Sequence, residues 1–281
     1  MERRWVRPGH LYLVATPIGN QSDVTARALA VLAEVDVIAA EDTRVSGPWL
    51  RRQEIRTPMV SFHEHSPQDR QNALIERLKT GDAVALISDA GLPAVSDPGQ
   101  KLVAAAWDQE IPVVPIPGAS AGVTAFAVSG FALPMVLWGF LASRGSERQA
   151  QIAKLASLPG THVIYEGPHR LARLLPELCR QGLGDCKMVI ARELTKMHET
   201  IRRGTVAELT DAIKAETPRG EYTLVLEAKT PQPVQTDWGV LLEAVADAVS
   251  KGETDRRACQ AVALQYGVSR RQLYQAWHQA R

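Results

Sequence analysis

From residue 11 almost to residue 228 the chain repeats one unit: a short apolar run, a polar turn, then an amphipathic stretch. The apolar runs are Leu11–Thr16, Val37–Ala40, Met59–His63, Ala83–Ser88 and Pro112–Ile116. Runs that are apolar at nearly every position need cover on both faces, which a mostly parallel sheet between helical layers supplies. The intervening helices are expected after Ser22 or Asp23 (apolar face Val24, Ala28, Leu29, Leu32), near Gly47–Gln53, over Pro67–Lys79, from Pro98, and from Ser120. After Gly130 the rhythm restarts with strands Met135–Phe140, His162–Tyr165 and Lys187–Ala191 and helices Ser146–Ser157 and His169–Gln181. Extended Thr200–Arg203, helix Val206–Glu216 and strand Glu221–Ala228 follow and suggest some antiparallel pairing. Thr230–Thr236, with two prolines, reads as a linker. Beyond it, Trp238–Ser250, Thr254–Tyr266 and Ser269–Ala280 read as helices. The fold class is therefore α/β: two α/β domains, 1–130 and 131–232, and a helical tail, 233–281.

Composition narrows the class further. Hydrophobic residues make up 45% and charged residues 22%, with a net charge of +1, which excludes a disordered chain and a polyelectrolyte. No run approaches the ~20 apolar residues of a membrane span. The apolar part of Met1–Ala15 is too short for a secretory signal. Cys179, Cys186 and Cys259 lack the spacing of a disulfide framework or a zinc site. A cytoplasmic protein without membrane or metal is expected.

Ligands of open α/β sheets bind beyond the carboxyl ends of the strands. Here those exits read Thr16–Asn20, Glu41–Arg44, Ser88–Pro93, Pro117–Ser120, Phe140–Arg144, Glu166–Arg170 and Arg192–Lys196. Each alone is ordinary turn chemistry. Seven on one edge point to a cleft between the halves. Neither G-x-x-x-x-G-K-[ST] nor G-x-G-x-x-G occurs, Gly182-x-Gly184 remaining incomplete. The first-half loops carry Asp89 and Asp97 and no lysine, which suits a neutral or cationic nucleoside better than a triphosphate.

Three other signals compete. Gly118–Gly122 satisfies G-x-S-x-G between a strand and a helix, so Ser120 is either a nucleophile served by Asp185 and His198 or a helix cap. His63-x-His65 has no third ligand within reach, favouring a surface or substrate contact over a metal. In the tail, two helical stretches flank Gly267–Ser269 with helix-turn-helix spacing. From Ser250 to Arg281 six basic side chains, including Arg256, Arg257, Arg270 and Arg271, stand against two acidic ones. That local surplus suits a nucleic-acid backbone, or else a solvated helical cap.

Longer motifs go further. Leu13–Asn20 (LVATPIGN), Glu41–Arg44 (EDTR), Ser88–Gly99 (SDAGLPAVSDPG), Pro115–Ala121 (PIPGASA), Tyr165–Arg170 (YEGPHR), Ala191–Lys196 (ARELTK) and Gly220–Glu227 (GEYTLVLE) occur in order. Together they resemble the ribosomal RNA small subunit methyltransferase I family, cytidine 2′-O-methyltransferases of 16S rRNA in the tetrapyrrole-methylase superfamily. The resemblance runs from about residue 10 to 229, and Ser269–Tyr274 is similar too. It implies class III S-adenosylmethionine-dependent methyltransferase domains, S-adenosyl-L-methionine in the cleft, 16S rRNA or the 30S subunit as partner, and a homodimer. It also implies cofactor contacts at Pro17, Ser88, Asp89, Ala90, Gly91, Ala94, Val95, Pro117, Gly118, Ser120, Ala121, Phe140 and Leu141. Asp42, Arg44, Glu166, His169, Glu193 and Lys196 are the candidate catalytic groups at the cleft mouth, with the proton acceptor among them unassigned. Arg170 joins the four tail arginines as a candidate RNA contact, and Arg44 and Lys196 are also suited to phosphate. The rivals are a precorrin or porphyrin methylase, which leaves the basic tail idle, a serine hydrolase built on Ser120, and a DNA-binding regulator.

Overall fold

The structure, a computed structural model, describes residues 5–63, 66–96, 99–216, 218–228, 238–266, 268 and 270–280. His65, Asp97, Pro98, the 230–236 stretch, Gly267, Ser269 and Arg281 lie outside them. In the first half, strands β1 (Leu11–Val14), β2 (Val37–Ala40), β3 (Met59–Ser61), β4 (Val84–Ile87) and β5 (Val113–Ile116) alternate with helices. Those helices are α1 (Ala26–Glu34), α2 (Thr43–Arg52), α3 (Gln68–Lys79) and α4 (Gln100–Asp108). The sheet is parallel throughout, in the order β3-β2-β4-β1-β5. Successive residues feed opposite layers, as the two-residue period of a strand requires. Tyr12, Val14, Ile38, Ala40, Ala85 and Ile87 pack into one core. Leu11, Val37, Ala39, Val84 and Leu86 pack into the other.

Two helix starts differ from expectation. Helix α1 is capped by Thr25, whose side chain accepts from Ala28 N at 3.0 Å, and not by Ser22 or Asp23. Those two belong to a single 3-10 turn capped by Asn20. Helix α2 begins at Thr43, well before Gly47, because Asp42 caps it by accepting from Arg44 N at 2.8 Å. The cap outweighs the breaker signal of Pro48, which the helix absorbs in its interior.

Helix α5 (Ala121–Ser129) follows β5 in sequence but packs on the second sheet through Gly122 and Ala125, beside Val163, Val189 and Val225. That sheet, β6-β7-β10-β8-β9, comprises β6 (Met135–Phe140), β7 (Gly160–Glu166), β8 (Lys187–Arg192), β9 (Thr200–Thr205) and β10 (Tyr222–Ala228). Only the β6–β7 pair is parallel; β10 runs antiparallel to β7 and β8, as β8 does to β9. Its other face is covered by α6 (Gly145–Ser157), α7 (Pro168–Leu178) and α8 (Val206–Lys214), around Leu155, Ile164, Leu174, Ile190 and Leu224.

Both sheets fall in one compact unit, Met1–Lys229, and Thr230–Arg281 forms another. The second unit holds α9 (Trp238–Ser250), α10 (Asp255–Tyr266) and α11 (Arg270–Gln279) around Leu241, Val245, Cys259, Leu273 and Trp277. Among the described residues no helix is long and apolar enough to cross a membrane.

The first sheet's carboxyl edge is drawn tight. Thr16 and Gly91 exchange backbone hydrogen bonds at 2.9 and 3.1 Å, tying the loop after β1 to the loop after β4. A Cβ on Gly118 would stand 2.8 Å from the Cβ of buried Ala15, which has no flexible end to move aside. Gly118→Ala is expected to lower stability by about 1–3 kcal/mol, the usual cost of overpacking. Thermal unfolding checks this: an unchanged Tm would show that the loop after β5 yields freely.

Candidate active site

The loops at this edge face the second sheet across a cavity of about 280 Å³, near the lower end of the ~300–1,000 Å³ typical of small-molecule sites. Ile18, Glu41, Asp89–Leu92, Val95, Ser96, Ser120 and Ala121 line it from the first half. Phe140, Tyr165–Gly167, Ala191, Leu194 and Glu221–Thr223 line it from the second.

Of the thirteen residues expected at a cofactor, the cavity wall contains Asp89, Ala90, Gly91, Val95, Ser120, Ala121 and Phe140. Pro17, Ser88, Ala94, Pro117, Gly118 and Leu141 stand outside the lining set. Ser88 is buried, with its hydroxyl 3.4 Å from the carbonyls of Ala90 and Gly91, so it shapes the turn. Leu141 belongs to the second sheet's core. Glu221, Tyr222 and Thr223 line the cavity without having been expected there. Counting only strand exits misses them, because antiparallel β10 brings its first residues to the edge where its neighbours end.

The candidate catalytic side chains are mostly committed to ion pairs. Arg44 Nη2 is 2.6 Å from Asp42 Oδ2, and this pairing holds the Asp42 carboxyl down at about 2. Lys196 Nζ binds Glu193 Oε1 at 3.1 Å and Glu221 Oε2 at 2.8 Å. Burial works to raise Glu193, but the Glu221 N–H and Lys196 outweigh it and hold the carboxyl low. Glu166 is buried: Oε1 sits 2.7 Å from Arg170 Nε and accepts from Gly167 N, while Oε2 lies 3.7 Å from Arg148. Burial raises its carboxyl against the pull of the Gly167 N–H and both guanidinium groups. His169, exposed in the first turn of α7, has no partner among the described residues.

Arg148, behind the cavity wall against Glu166, is a further residue that sequence reasoning missed. It stands in the first turn of α6, where charge usually faces water, yet it is 1% exposed. It donates to Glu177 Oε2 at 2.8 Å and to the Ala142 carbonyl at 3.0 Å.

A Ser120 nucleophile is not assembled. Ser120 caps α5 by position, but its side chain makes no cap hydrogen bond and its backbone is plain extended (φ −148°, ψ 112°). A nucleophile elbow requires a strained turn. Asp185 precedes β8, whereas the cavity lies at Ala191, about 20 Å along the strand.

The lining includes Glu41, Asp89, Glu166 and Glu221 and no basic side chain. Asp89 N donates to Glu41 Oε2 (3.1 Å), and Asp42 N donates to Asp89 Oδ1 (3.2 Å). Burial first, then Glu41, push the Asp89 carboxyl up. Such a cavity repels phosphate and favours a cation with apolar surface.

The family profile for tetrapyrrole (corrin/porphyrin) methylases matches residues 10–210. The chain belongs to this family. Relatives named "Ribosomal RNA small subunit methyltransferase I" include one from Synechocystis sp., 43% identical over 95% of this chain and 96% of that protein. One from Bacillus subtilis is 41% identical over 96% and 94%. Among solved tetrapyrrole methylases and their structural kin, a cobalt precorrin-4 methyltransferase matches with a TM-score of 0.58 at 18% identity, covering 78% of this chain and 94% of that one. Diphthine synthase matches at 0.60 with 15% identity, covering 78% and 89%. Uroporphyrin-III C-methyl transferase from Thermus thermophilus, complexed with S-adenyl homocysteine, matches at 0.54 with 18% identity, covering 77% and 96%. At these identities the structures establish the shared fold.

The Asp89 environment has a testable sign. A carboxylate raised in the folded state costs stability once both folded and unfolded chains are ionised, and costs nothing when both are protonated. Asp89→Asn, which can still accept from Asp42 N, is therefore expected to raise Tm at pH 7, with the gain vanishing below about pH 4. A gain independent of pH, measured by calorimetry, would contradict this.

Proposed function

We propose that the chain transfers a methyl group from S-adenosyl-L-methionine to the ribose 2′-hydroxyl of a cytidine in 16S rRNA of the small ribosomal subunit. The observation that carries this reading is the cavity at the joined sheet edges, lined by carboxylates and apolar side chains and free of basic groups. The names of the relatives at 41–43% identity support the rRNA substrate. S-adenosyl-L-methionine, when bound, supplies an electrophilic methyl on a sulfonium. Ile18, Leu92, Ala121 and Leu194 offer its uncharged parts an apolar wall and keep water from the reacting atoms. Asp89 and Glu41 present carboxylate oxygens to positive charge and hydroxyl groups. Of the cleft-mouth groups, Asp42, Glu166 and Glu193 orient Arg44, Arg170 and Lys196 for the RNA backbone, and His169 is the side chain open to the hydroxyl proton. Holding hydroxyl and methyl in line supplies much of the rate.

The reading extends to a cytoplasmic homodimer whose tail grips rRNA. Arg256, Arg257, Arg270 and Arg271 are all exposed on α10 and α11, as backbone contacts require. Incubation of the chain with 30S subunits and methyl-labelled S-adenosylmethionine is expected to label one cytidine 2′-oxygen. Label on a base, or none on any form of 16S rRNA, would overturn the reading.

Replacing Arg270 and Arg271 with alanine is expected to leave S-adenosylhomocysteine affinity intact and weaken 30S binding. Each lost phosphate contact lowers the log–log salt slope by ~0.7–0.9. Titrations across salt concentrations showing an unchanged slope would assign those arginines to solvent.

A further inference from the structure

Phe140 ends β6 with 54% of its surface exposed at the cavity. The strand is made to present it. The register of β6 against β7 shifts between Leu137 and Gly139, and Gly139 takes a positive φ of 65°. Bulges of this kind re-aim a side chain beside functional sites. A Cβ on Gly139 would come within 2.7 Å of Ser96 Oγ, so the bulge lies against the loop after β4.

Two neighbours complete the arrangement. The Arg170 guanidinium carbon lies 5.5 Å from the Phe140 ring centroid, and the Tyr165 ring is tilted at 58° with its centroid 5.6 Å away. Arg170 is not a loose surface arginine. Its Nε is held at 2.7 Å by Glu166, whose carboxylate is sealed from solvent and flanked by buried Arg148. The result is an open aromatic face, a fixed guanidinium and a methyl-transfer cavity sharing one rim. Proteins that hold unpaired nucleotides use this combination, with bases stacking on aromatic rings and arginine planes.

We propose that Phe140 and Arg170 form a stacking seat for one unpaired nucleobase of the RNA substrate at the mouth of the cavity. This rests on the rRNA reading above and adds the requirement that the RNA be single-stranded there. An aromatic face accepts any base, so the seat supplies affinity and placement of the strand and leaves base identity to polar groups. Arg148 acts through Glu166 as a positioning residue for the Arg170 guanidinium.

The test compares the full-length wild type with Phe140→Leu, which keeps apolar bulk and loses the ring, and with Phe140→Trp, which restores a ring. Affinity for a fluorescein-labelled unstructured pyrimidine RNA is read by anisotropy, and affinity for S-adenosylhomocysteine by calorimetry. Phe140→Leu is expected to weaken RNA binding about tenfold, the lower part of the range for losing one base stack. Phe140→Trp is expected to recover it, and in both variants S-adenosylhomocysteine affinity is expected to change by less than RNA affinity does in Phe140→Leu. Wild-type RNA affinity in Phe140→Leu would overturn the proposal alone. So would an equal loss of RNA and S-adenosylhomocysteine binding, which makes the ring part of the cofactor wall. A change in sedimentation instead of RNA affinity would overturn it too, marking a contact between copies. A wild type that binds S-adenosylhomocysteine but no RNA would overturn the rRNA reading, and the seat with it.

Discussion

The second half of the cavity depends on one buried carboxylate. Glu166 has no exposed side-chain surface and sits between Arg148, itself 1% exposed, and Arg170. Charges so far from water are costly to bury, and removing one partner of such a group typically costs ~3–5 kcal/mol. The cluster persists because each member also holds backbone. Arg148 binds the Ala142 carbonyl, Glu166 accepts from Gly167 N, and Arg173, which shares Glu177 with Arg148, donates to the Ser143 carbonyl. The segments after β6 and β7, which carry Phe140 and Gly167 into the cavity wall, are thus tied to one electrostatic knot. A hydrophobic core in its place could match its stability, but could not aim a guanidinium at the rim.

The same economy of placement explains which parts of the architecture were legible in the sequence. Strands β2 and β4 show as unbroken apolar runs because buried strands leave no polar alternation to confuse the reading. The seven polar exits were visible because Gly, Pro, Asp and Ser cluster wherever a chain leaves a sheet. What stayed hidden depended on tertiary partners. Arg148 looks like a solvated first-turn residue until Glu166 and Glu177 are brought to it by other elements. Thr25 and Ser22 are equally good caps on paper, and only the 3-10 turn closed by Asn20 decides between them. Glu221–Thr223 needed the direction of β10, which local pattern does not encode.

The two halves meet through side chains that are absent as much as through those present. A Cβ at Gly19 would collide with the Lys196 side chain and stand 3.1 Å from the Leu194 carbonyl. Asn20 N instead donates to Thr195 Oγ1 at 3.0 Å. The receiving loop is itself held in an uncommon conformation, with Glu193 and Thr195 at φ 51° and 66°. Residues in this region persist only when their surroundings over-determine them. Here the Glu193–Lys196–Glu221 bonds do so, and Glu193 packs against Gly220, where a Cβ would come within 2.6 Å of it. The ion pairs at the cleft mouth therefore have a structural duty, whatever they contribute to chemistry.

Charge is partitioned in a way that suits two unlike ligands. The cavity is carboxylate-lined, and the Asp89 carboxyl is raised first by burial and then by neighbouring Glu41, a condition relieved by a cation and worsened by phosphate. RNA is a polyanion, so its attraction has to come from elsewhere on a chain whose net charge is only +1. Arg44 and Arg170 have their positive charge largely offset by Asp42 and Glu166, which suits them to orientation more than to long-range attraction. The proposed source is the exposed arginines of α10 and α11, on a unit with its own small core around Leu241 and Leu273. If the tail arginines hold RNA as proposed, affinity and chemistry are separable: salt-screened backbone attraction falls to one unit and the carboxylate-lined cavity to the other. A chain that put both tasks in one pocket would have to bind a sulfonium and a phosphate with the same charges.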